Sequence, residues 1–227
     1  MKNMFSYDSK FMQIALMLTD YLLLNILFLL CCIPVITIGA AQAALYSGLA
    51  VLRNPDDDSS CIRKFFEGFA SGFGTITIIW SVSLVVMALM VYNLIAILVL
   101  DAAGAYAPIW VCAVGLAIFA VYQSMLTIFH SKFGCTVRQL LKNALFMILA
   151  HPIRSIAVAA LTWLPVILFA FAFDVFMKNV LLMIIGYFSL VFSLNLSIMK
   201  KPFETIENNF YNRDEEETPA ESEDSVG

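Results

Sequence analysis

Side chains able to do chemistry are few in this chain, and most of them are neutral. Four amides, Asn25, Asn93, Gln123 and Asn195, and one carboxylate, Asp20, fall within or at the edge of long apolar stretches. Polar groups in such surroundings are the first places to look for function. An amide both donates and accepts hydrogen bonds. A set of amides therefore either joins helix to helix, for about 1 kcal/mol or less each, or lines a path for a sugar or other polyol. Asp20 stands where it can reach a membrane interface or pair with a cation there. His130 and His151 have no carboxylate or cysteine at ligand spacing, so no metal site is expected. Cys31, Cys32, Cys61, Cys112 and Cys135 form no CxxC pair and read as small apolar packers. Nucleophile elbows, paired carboxylates, zinc-protease helices and P-loops are all missing from the sequence. Gly72-Phe73-Gly74 runs on into Thr75-Ile76-Thr77 with no phosphate-binding pattern. The expectation is a protein that is not an enzyme, binds no cofactor and has no nucleic-acid partner.

The elements that would carry these residues are set by charge. Tyr21–Leu52, Gly68–Leu100, Ala102–Ser131, Ser155–Phe173 and Asn179–Met199 contain no Asp, Glu, Lys or Arg. Each is as long as, or longer than, the roughly 20 residues a helix needs to cross a bilayer. In lipid the backbone must satisfy its own polar groups, and helices do so. Hydrophobic residues make up 61% of the chain and charged residues 13%, far from soluble averages of roughly half and a quarter. The fold class expected is all-α, a polytopic transmembrane helical bundle whose partner is the lipid bilayer. The N-terminal apolar run has no cleavage-site pattern and reads as a permanent anchor.

That first run, 32 residues from Tyr21 to Leu52, is too long for one span. Pro34 interrupts it, disfavouring helix at Ile33 and removing a donor. Thr37 has a hydroxyl for a freed backbone group, and Gly39 permits a sharp return. The reading is a span over 11–33, a turn over Pro34–Gly39 and a shorter span over 40–53. Ala40, Ala44 and Gly48 then recur on one face, a spacing that allows close packing. Thr37 and Gly39 are expected against other helices, and Gly39→Leu is expected to harm folding more than Leu24→Ala, by wedging the first two helices apart. The remaining spans are 74–100, 105–129, 153–173 and 179–199, giving a helical domain over 1–201. Six crossings put twelve of the thirteen cations on one side, with Lys178 opposite. Five crossings, the alternative, move Lys2 and Lys10 away and weaken the bias. The positive-inside rule favours six, with both termini cytoplasmic and Asp101 and Lys178 near the outer face.

Two segments on the basic side are amphipathic, over 59–73 and 136–150. Ile62, Phe65, Phe66, Phe69 and Phe73 form one helical stripe, and Val137, Leu140, Leu141, Ala144 and Ile148 form the other. Flanking basic residues suit helices at headgroup level. Asp56–Asp58 with Ser59 or Ser60 supply caps for the first. The two align at an offset of 75 residues, and each precedes two spans, the pattern of a weak internal repeat. Seven of the seventeen acids lie between Asp214 and Asp224. Residues 202–227 therefore read as an acidic cytoplasmic tail too polar to fold.

The stretches Asp20-Tyr21-Leu22-Leu23-Leu24-Asn25, Cys32-Ile33-Pro34-Val35-Ile36-Thr37-Ile38-Gly39-Ala40 and Ala44-Leu45-Tyr46 resemble the signature of the YesL family. Lys64-Phe65-Phe66-Glu67-Gly68-Phe69 and Val137-Arg138-Gln139-Leu140-Leu141-Lys142-Asn143-Ala144 resemble its two later blocks, with Thr19 departing from the pattern. The resemblance spans Met4 to about Lys201 and omits the acidic tail. It implies a bacterial integral membrane protein of unknown function, often encoded beside carbohydrate ABC-transporter components, with no assigned catalytic site. The functional expectation is a non-catalytic accessory component of carbohydrate ABC-type uptake in the plasma membrane. Its partners would be permease subunits or further copies of itself. The alternative is a small transporter or channel for a polar solute, in which the amides would share a cavity.

Overall fold

The computed structural model describes residues 10–54, 59–99, 106–133 and 137–216. Asp56–Asp58, Asp101, Cys135 and the end of the acidic tail lie outside them. Among the described residues every element is helical: α1 (Lys10–Cys31), a 3₁₀ turn (Val35–Thr37), α2 (Ile38–Arg53), α3 (Cys61–Val99), α4 (Tyr106–Phe133), α5 (Val137–Ala150), α6 (Pro152–Phe171), α7 (Phe173–Leu182), a π segment (Met183–Tyr187) and α8 (Phe188–Glu216). Six helical runs are long and apolar enough to cross a membrane, α2 with its 3₁₀ turn among them. The chain is an all-α polytopic helical bundle. Leucine, isoleucine, valine and phenylalanine side chains cover its outside, as a lipid solvent permits.

α2 forms the centre. Ala40, Ala41, Ala44, Leu45, Tyr46 and Leu49 are almost completely buried. Small residues let its backbone approach α3 closely. A Cβ on Gly68 would stand 3.2 Å from the Ala44 Cα, and one on Gly72 would stand 3.7 Å from the Ala40 Cα. Gly68 and Gly72 are four apart, so α3 brings its own small-xxx-small face to that of α2. The pairs run in opposite directions along the two helices, which are therefore antiparallel.

Three boundaries differ from those read off the sequence. The amphipathic segment 59–73 and the span 74–100 are one continuous 39-residue helix, α3. Nothing between Phe73 and Ile78 breaks the chain, since isolated glycines weaken a helix by only about 1 kcal/mol each. At 1.5 Å per residue α3 is about 58 Å long, well beyond a hydrocarbon core of roughly 30 Å. The second amphipathic segment is a separate helix, α5, because His151-Pro152 ends it. The two halves of the suggested repeat therefore differ in form. Finally, α8 runs on through Pro202 to Glu216. Composition places a tail boundary at 202, but residues 202–216 extend the last helix. Lys178 lies within α7, one residue-long break (Ala172) after α6.

The five-residue stripe on α5 is also divided. Of the stripe, Leu140 and Ala144 are buried, Ile148 is half-buried, and Val137 and Leu141 are exposed; off the stripe, Met147 is buried and Leu145, Phe146 and Leu149 are exposed.

Candidate functional site

The Pro34 break is closed by side chains. The Thr37 hydroxyl lies 2.6 Å from the Cys31 carbonyl and 2.7 Å from the Pro34 carbonyl, sharing one O–H between two acceptors that the end of α1 frees. The Trp80 indole N–H donates to the Val35 carbonyl at 2.9 Å. Gly39 sits under the same tryptophan: a Cβ there would meet the Trp80 Cβ at 2.8 Å and the Ile76 Cγ2 at 3.0 Å. The helix that a larger residue would displace is thus α3, and not α1. Thr37 and Gly39 are both buried.

The four amides do not share one cavity. Asn25 is fully buried on α1 and serves the π segment. Its Nδ2 donates to the Met183 carbonyl at 3.2 Å and the Ile184 carbonyl at 2.7 Å, while its Oδ1 accepts from the Ser189 backbone N–H at 3.2 Å. A π turn displaces backbone groups from the regular ladder, and Asn25 supplies partners for them. Asn93 is exposed and bonds only its own helix, at the Leu89 carbonyl. Gln123 is buried on α4, where its Oε1 accepts from the Ser83 hydroxyl at 3.1 Å. Asn195 is fully buried on α8. Its Nδ2 donates to the Tyr46 hydroxyl at 3.1 Å and the Thr162 hydroxyl at 3.0 Å, linking α8 to α2 and α6. Tyr46 stacks on Phe192 with centroids 4.5 Å apart. Asp20 is half-buried and lies against the Cys61 thiol at the start of α3.

Several contributors have no clear signal in the sequence. Pro165 stands inside α6 and cannot bond the Leu161 carbonyl. The Tyr187 hydroxyl, from the π segment, donates to that carbonyl at 3.0 Å. Thus the two irregular helices, α6 and the π-interrupted last run, are joined where each departs from α geometry. His130, adjacent to the basic end, is buried and packs beside Gly72.

The ends of the helices gather charge. Arg53 at the end of α2 donates to the Ser193 carbonyl at 2.5 Å and the Ser197 hydroxyl at 2.6 Å of α8. A cavity of about 680 Å³ lies beside it, lined by Tyr46, Arg53, Asn54, Lys132, Lys200 and Glu204. A neighbouring hollow of about 430 Å³ adds Lys64 and Glu67 and shares Asn54 and Ser131. A third cavity, of about 340 Å³, lies in the other half of the bundle between α1, α2, α3, α6 and α8. Its walls include Gln42, Trp80, Thr162 and Trp163, with Phe28 and Phe188. The two indole rings lie 28° from parallel, 6.5 Å apart. Among the described residues no three His, Cys, Asp or Glu side chains stand close enough to hold a metal ion.

Residues 21–94 match a protein family described as "Protein of unknown function, DUF624". The matched region takes in the second half of α1, the Pro34 turn, all of α2 and most of α3. It therefore contains Asn25, Thr37, Gly39 and the small-residue contact between α2 and α3. No curated protein and no solved structure matches the chain.

Proposed function

We propose that this chain is a non-catalytic integral protein of a bacterial plasma membrane, with both termini cytoplasmic, serving as an accessory component of a carbohydrate ABC-type uptake system. The link to carbohydrate uptake rests on the resemblance to YesL proteins. The observation that carries a docking role is the outward edge of α5. Leu145, Phe146 and Leu149 are 52%, 65% and 73% exposed there, beside Arg138 and Lys142. α5 thus packs one apolar face on the bundle and turns a second outward, a surface that either lipid or a partner helix can cover. The clustering of Arg53, Lys64, Lys132 and Lys200 at one end supports placing that end, with α5, in the cytoplasm. The permease pair is the partner that this edge would meet at headgroup level.

The test is co-purification from membranes in mild detergent. The wild-type chain should recover permease subunits, and a Leu145→Glu, Phe146→Glu variant should lose them while keeping its melting temperature. Recovery of the folded protein with no transporter component, or only with copies of itself, would defeat the accessory reading.

A further inference from the structure

Two cavities approach each other from opposite ends of the bundle and meet on three hydrogen-bonded side chains. Tyr46 lines the basic-rimmed cavity. Thr162 lines the cavity in the other half. Asn195, which lines neither cavity, donates to both residues and so links the two side chains. Its Oδ1 has no partner among the described residues although the residue is fully buried. A buried acceptor left in this state costs about 1–3 kcal/mol, and such groups call for an explanation, function included.

The geometry points to a closed polar gate: Tyr46, Asn195 and Thr162 bar a path for a small, neutral, hydroxylated solute, which binds in the cavity walled by Trp80, Trp163, Gln42 and Thr162. The chemistry of the walls selects this class. No charged side chain lines that cavity, so an ion would shed its water without compensation. The indole faces offer apolar surface for C–H groups. The Gln42 amide and the Thr162 hydroxyl offer donors and acceptors for hydroxyls, and the Asn195 oxygen, closed off behind Thr162, is an acceptor that opening of the gate would uncover. A volume of about 340 Å³ falls at the lower end of the roughly 300–1,000 Å³ typical of small-molecule sites. The helices beside the gate are the two irregular ones. Pro165 follows Thr162 by less than a turn in α6, and the π segment lies about two turns before Asn195. Broken helices at the midplane are where carriers bind and move solutes. This proposal does not depend on the accessory role, since it concerns passage through the chain itself.

The full chain, reconstituted into phosphatidylethanolamine and phosphatidylglycerol vesicles, is tested by stopped-flow swelling with glycerol and with glucose as probes. Wild-type vesicles should admit at least one probe faster than protein-free vesicles. Asn195→Leu should return that rate to the protein-free value. Tyr46→Phe, which keeps the ring and removes one gate bond, should raise it. Wild-type rates equal to protein-free rates for both probes would overturn the proposal, as would an Asn195→Leu rate equal to wild type. If Asn195→Leu fails to fold, Tyr46→Phe decides alone: a raised rate supports the gate and an unchanged rate overturns it.

Discussion

Gly39 shows how tightly single positions are held. Its missing Cβ leaves room for the Trp80 Cβ, a rigid neighbour, at 2.8 Å. Adding even one carbon there forces α2 and α3 apart. Gly39→Leu should therefore lower stability by about 1–3 kcal/mol or more. Leu24→Ala is a poor reference, because Leu24 is fully buried and its Cδ2 stands 2.9 Å from where a Gly48 Cβ would be. Emptying such a site also costs a few kcal/mol, about 2–5 in soluble cores. The better reference is Ile26→Ala, on the exposed side of α1. Detergent melting should show a large drop for Gly39→Leu and little change for Ile26→Ala; equal melting of the two would show that the contact with Trp80 carries no weight. The special character of Pro34, Thr37 and Gly39 was legible in the sequence, since proline and glycine act through their own backbones. The separate fates of Asn25, Asn93, Gln123 and Asn195 were not. All four are amides in apolar surroundings, and only tertiary packing decides that Asn93 faces outward while Asn25 serves another helix.

Proline and charge marked some helix ends and not others: α8 runs on through Lys200, Lys201 and Pro202, and α7 contains Asp174 and Lys178. Pro34 and His151-Pro152 end elements as expected. Phe73, Gly74 and Thr75 carry no stop, so the join between amphipathic and spanning parts of α3 left no mark. The π segment is likewise silent, because it is defined by a partner, Asn25, far away in the chain. The coupling of α6 to the π segment through Pro165, Leu161 and Tyr187 gives a prediction at this scale. Tyr187→Phe should cost about 0.5–1.5 kcal/mol, the usual net worth of a hydrogen bond. In a Pro165→Ala background residue 165 has an N–H for the Leu161 carbonyl, so the same substitution should cost less. A double-mutant cycle of melting free energies measures this. Additive effects would mean that the tyrosine hydroxyl does not substitute for the missing helix bond.

For the whole molecule, α2 decides the topology. It is the shortest of the six apolar runs and also the most buried. Contacts already order the ends. Tyr21, at the middle of α1, bonds Ser193 in the apolar first part of α8 at 2.9 Å, while Asn25, one turn on, reaches back to the π segment. If α2 crosses, both chain ends lie on the side of Arg53, Lys132 and Lys200, and the two cavities face opposite sides of the membrane. If α2 does not cross, the docking surface of α5 and the gate at Asn195 lose their orientation together. Reporter fusions at Asn3 and Ser225 measure this directly. The same, cytoplasmic side for both is the predicted result; opposite sides would contradict a six-span bundle centred on α2.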